Sequence, residues 1–101
     1  MVQDIKGKKE LVRISSKIKR EIEQRLDCLD GYKVKKSMGG TTASVYVYGD
    51  KDGYMTSTVI RIVQAIVGYY MELYGFSINY GVDFLKEKGC GCIRINIMSV
   101  E

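Results

Sequence analysis

Two cysteines stand one residue apart in "KGCGCIRINIM", residues 88–98, a spacing at which two thiolates of one strand can reach the same metal ion. A structural zinc site takes four ligands, usually Cys or His. Here there is no histidine and only Cys28 besides Cys90 and Cys92. A thiol-bearing strand is the expectation, and no metal. "GDKDGYMTST", residues 49–58, sets Asp50 and Asp52 ahead of Gly53, as a calcium loop does. Yet Tyr48 occupies the place of that loop's first acid and Val59 the place of its closing glutamate. A turn followed by a helix cap fits better. "SMGGTTAS", residues 37–44, has the glycines and hydroxyls of a phosphate-cradling loop but no lysine, and it leads into a strand rather than a helix.

Catalysis has little to work with. Without histidine, the base for a Cys or Ser nucleophile would be a carboxylate or a lysine, and no spacing pairs them. Tyr69 and Tyr70 are possible nucleophiles, but tyrosines at helical spacing belong more often to a core or an interface. No enzyme and no cofactor are expected.

What remains is lysine beside tyrosine. The formal charge of +4 is unevenly placed: residues 1–20 hold seven basic and two acidic groups, whereas residues 21–30 hold four acids and one Arg. Lys33, Lys35 and Lys36 then restore the positive sign. Such segregation concerns partners rather than fold.

The elements that position these residues follow from periodicity. Val12 and Ile14 alternate with Arg13, which suggests a short first strand over 11–14 that ends at Ser15 or Ser16 as a helix cap. From Ser16, Ile18, Ile22, Leu26 and Leu29 form one stripe of a helix ended by Asp30-Gly31. "YKVKKSM" and "TASVYVYG" flank Gly39-Gly40 as the arms of a hairpin. A second helix is expected from Thr56 or Ser57 to about Tyr74. Its apolar arc is about twice the usual width, more than packing on one sheet requires, which suggests cover by the first helix or by a second subunit. "FSINYGVDF" reads as a strand, and so does the final run, with Ile93, Ile95 and Ile97 opposite Cys90, Cys92 and Arg94.

The resulting plan is one α+β domain over residues 1–101, with 1–9 as a mobile basic segment. Two helices cover one face of a mainly antiparallel sheet of four or five strands, in the ferredoxin-like order β-α-β-β-α-β-β. Without the strand at 11–14 the order becomes α-β-β-α-β-β, still a two-layer sandwich. The segment "LVRISSKIKREIEQRL" has the texture of a ribbon-helix-helix opening, but a hairpin follows where that plan requires a second helix.

No membrane span is expected, because the longest apolar segment, residues 59–73, is short and carries Arg61, Gln64 and Glu72. An odd cysteine count and a polar N-terminus suit reduced thiols and a cytoplasmic setting. Alternation puts Lys33, Lys35, Tyr46, Tyr48 and Arg94 on the sheet face away from the helices. A nucleic-acid strand is the favoured partner of that face: phosphates on Lys33, Lys35, Arg94 and Arg13, bases stacked on Tyr46 and Tyr48, with Lys6, Lys8 and Lys9 adding phosphate contacts. The alternative is a protein-interaction module, an adaptor or inhibitor, using the same face and the wide apolar helix. A homodimer is expected in either case.

Overall fold

The computed structural model describes residues 3–29, 31–49, 57–74, 78–85 and 90–99. Helix α1 (Gly7–Leu26) is followed by strands β1 (Tyr32–Gly39) and β2 (Thr42–Gly49), helix α2 (Ser57–Leu73), and strands β3 (Ile78–Leu85) and β4 (Cys90–Met98). The strands form one antiparallel sheet in the order β1-β2-β4-β3. The fold is α+β, in the order α-β-β-α-β-β, and the ferredoxin-like order is not formed.

The reason lies in residues 11–14, which are helical rather than a strand. Leu11, Ile14, Ile18, Ile22 and Leu26 are all buried on one stripe of α1, so the 3.6-residue period runs on through the three-residue alternation around Arg13. An alternation that short does not outweigh four turns of consistent helical pattern. Ser15 is accordingly not a cap. It lies mid-helix, fully buried, and its hydroxyl donates to the Val12 carbonyl at 3.1 Å. Lys6, not a serine, occupies the N-cap position, and it makes no side-chain capping bond.

The N-terminal segment also differs from expectation. Ile5 is fully buried in the core, and the Gln3 amide donates to the Leu73 carbonyl at 3.1 Å, which ties this end to the last turn of α2. Lys8 and Lys9 belong to the first turn of α1.

Helix α1 ends at Leu26, short of the stop expected at Asp30-Gly31, and Leu29 packs against the core from beyond the helix. Asp30 and the expected strand start at Phe76-Ser77 lie outside the described residues. In the hairpin and the central strands the local signals and the elements agree. β1 and β2 close through Gly40-Thr41, with Gly39 paired to Thr42 and Gly40 at φ +59°, a conformation glycine adopts without steric cost. On the helix side of the sheet Val45 pairs with Ile95, Val47 with Ile93 and Ala43 with Ile97, all fully buried. Helix α1 lies across β1, β2 and β4, and α2 packs against α1. Each fully buried Val, Leu or Ile contributes about 1.5–3 kcal/mol, so the Val45–Ile95 and Val47–Ile93 pairs, the stripe of α1 and the buried Val59 and Val63 of α2 together carry much of the stability of the fold.

β1 is an edge strand. Its Lys36 points toward the helix layer and donates to Ser16 Oγ at 2.7 Å. An inward-facing lysine of this kind discourages pairing of the edge with another chain. The segments expected as the turn at 50–56, including a Thr56 cap, and as the connection at 86–89 lie outside the described residues.

Candidate functional site

The outer sheet face is best followed along its cross-strand rows. Because β1, β2 and β4 are adjacent and antiparallel, register brings Lys35 opposite Tyr46 and Tyr46 opposite Arg94. A tyrosine on the middle strand is thus flanked by a cation on each side, with neighbouring strands about 4.8 Å apart. Lys35 and Arg94 are exposed, and Tyr46 is half-buried. The row reaches Gly81 on β3.

The next row has the same composition on paper and a different character. Lys33 pairs with Tyr48, and Tyr48 pairs with Cys92. Lys33 is exposed, but Tyr48 is only 7% exposed and Cys92 only 6%. Both lie outside the main apolar cluster, which occupies the other side of the sheet. The Lys35 ammonium sits 5.8 Å from the centre of the Tyr48 ring, a diagonal cation–π contact between the two rows. The expectation that Tyr48 is open for base stacking is therefore corrected: with the Cys92 thiol buried beside it, this end of the face is closed. On the other side of the Lys35–Tyr46–Arg94 row, Ser44 Oγ donates to Asn96 Oδ1 at 2.7 Å across β2 and β4.

Of the nine residues singled out from the sequence, Lys33, Lys35, Tyr46 and Arg94 share the accessible part of this face, with Tyr48 beneath Lys35. Arg13, Lys8 and Lys9 are exposed on α1, in the layer that covers the opposite side of the sheet, and Lys6 precedes that helix. They do not join the row. Sequence reasoning missed a second basic cluster, the groove between α1 and the β1 edge lined by Ser16, Lys19, Arg20, Glu23 and Lys36. Lys19 is paired to Glu23 there at 3.0 Å. The only signal for this cluster was the i,i+3 and i,i+4 spacing of Ser16, Lys19, Arg20 and Glu23 along one helix face; nothing local placed Lys36 beside them.

The aromatic cluster of α2 is structural. Tyr70 is buried, edge-on to Tyr69 at 5.4 Å and stacked on Tyr74 at 6.4 Å. Burial, together with a hydrogen bond to the Glu21 carboxylate, pushes its phenol up to about 12.

Among the described residues no group of three or more Cys, Asp or Glu is placed to hold a metal ion, and no helix is long and apolar enough to cross a membrane. Comparison with protein-family models, with curated proteins and with solved structures finds no match.

Proposed function

We propose that this protein is a non-enzymatic nucleic-acid-binding protein that holds a single strand on the outer face of its sheet. Phosphates lie on Lys33, Lys35 and Arg94, and one base stacks on Tyr46. The observation that carries this reading is the cross-strand row Lys35–Tyr46–Arg94, an accessible aromatic ring between two exposed cations on adjacent strands. Cations flanking a stacking platform are what a flexible strand needs, because backbone charge and base surface alternate along it. Charge elsewhere is consistent with the reading, since the chain is +4 overall.

Fluorescence anisotropy with short single-stranded and duplex oligonucleotides, at low and at physiological salt, tests it. Three phosphate contacts give a plot of log affinity against log salt with a slope of about −2 for a single strand. Binding at micromolar concentrations with such a slope supports the proposal. No binding even at low salt removes it and leaves a protein partner for this face.

A further inference from the structure

We propose that the protein forms a two-fold symmetric homodimer through the outward stripe of α2, with two α2 helices crossing antiparallel. This surface lies on the helix layer and is independent of the sheet face, which it leaves uncovered in both copies.

The motivating observation is what α2 leaves outside. Val59, Val63, Ile66, Val67 and Tyr70 are buried, while Tyr69 is 56% exposed, Met71 45% and Leu73 40%. The first helix therefore covers one part of the wide apolar arc and not the rest. Next to Tyr69 runs the outward stripe Arg61, Ala65, Gly68 and Glu72, all exposed. Their spacing of four, three and four residues keeps them on one line of the helix.

That stripe is self-complementary. A two-fold axis passing midway between Ile66 and Val67 brings Arg61 of one copy to Glu72 of the other, twice. The same operation brings Ala65 to Gly68, also twice, at the centre of the crossing. Among the described residues neither Arg61 nor Glu72 has an ion-pair partner within the protomer. Tyr69 then lies beside Ala65 of the second copy, where a small side chain leaves room for its ring.

Gly68 supplies an independent sign. It occupies an exposed position in the interior of α2, and in a helix interior glycine is the least favourable residue after proline. A Cβ built there meets nothing within 4 Å, so the protomer itself has no packing need for glycine. Close approach of a second backbone is what a glycine at this position provides. The identity of the occupant follows from the symmetry of the pattern: the surface matches itself, with opposite charges at its two ends and small residues at its middle.

Sedimentation equilibrium on the full chain decides the matter. The wild type is expected to dimerise with Kd on the order of 10 μM, as suits a contact near the small end of the interface range. Gly68→Leu points into solvent in the protomer and improves helix propensity, so it does not threaten folding; it should raise Kd at least tenfold. Arg61→Glu should do the same through two repulsive contacts. The double variant Arg61→Glu with Glu72→Arg should restore dimerisation, a readout that a merely structural role would not give. A wild type that stays monomeric at hundreds of micromolar overturns the proposal. So does a dimer indifferent to both Gly68→Leu and Arg61→Glu.

Discussion

Tyr46 and Tyr48 stand two residues apart on the same strand, point to the same side, and are each flanked by a lysine on β1. One is half-open between Lys35 and Arg94. The other is closed, with Cys92 beside it and the Lys35 ammonium over its ring. The difference teaches that strand alternation assigns a side chain to a face but not to solvent. Accessibility depends on the neighbours that register brings, and those come from distant parts of the chain.

The widest separation between the two tyrosines should appear in stability. Tyr48→Ala removes a buried ring and is expected to cost about 3 kcal/mol in urea unfolding, whereas Tyr46→Ala should cost less than about 1 kcal/mol. Equal losses would mean that the two rows are not distinct. In binding, the order should invert. Tyr46→Ala should weaken a single-stranded oligonucleotide about tenfold and a duplex little, consistent with about 1–3 kcal/mol for a lost stack. Charge reversal of Lys33 and Lys35 together should abolish binding at physiological salt. Replacing both with Met instead should flatten the salt slope by about 1.4, and an unchanged slope would take this face out of contact with phosphate.

A further contrast concerns a tyrosine in the helix layer. Because the Tyr70 phenol is raised from 10.0 to about 12 in the fold, its contribution to stability is fully present below pH 10 and is lost as pH rises through about 12. Melting temperature should therefore fall over that window, and Tyr70→Phe should flatten the fall. A variant that tracks the wild type would place the titration elsewhere. In stability the smallest effect is expected from Lys35→Met, whose loss of the cation above the Tyr48 ring should cost about 0.5 kcal/mol.

Much of the frame was legible because its signals are local. Gly39-Gly40 between two alternating runs defines the hairpin, and the final isoleucines alternate cleanly, so β1, β2 and β4 and their buried faces follow from a few residues each. Helix α2 was readable from its length and its apolar arc. The start of α1 was not, since Val12-Arg13-Ile14 satisfies a strand period and a helix period at once. Only Leu11 and Ile5, packed in the same core, decide between them. The site was half legible. Face membership of Lys33, Lys35, Tyr46 and Arg94 comes from alternation alone, but the row joining them depends on β2 lying between β1 and β4, which no local pattern specifies. Burial of Tyr48 and Cys92, and the meeting of Lys36 with Ser16, are likewise long-range events.

A competing surface makes the location of binding the decisive point. Arg13, Lys17 and Arg20 are exposed on the outer side of α1, so a basic patch exists on both layers of the molecule. Backbone amide NMR of the full chain, titrated with a short single-stranded oligonucleotide at low salt, distinguishes the two directly. The expected result is progressive shifts at Lys35, Tyr46 and Arg94, with α1 unmoved. Shifts confined to Arg13, Lys17 and Arg20 would contradict the account and move the interface to the helix layer.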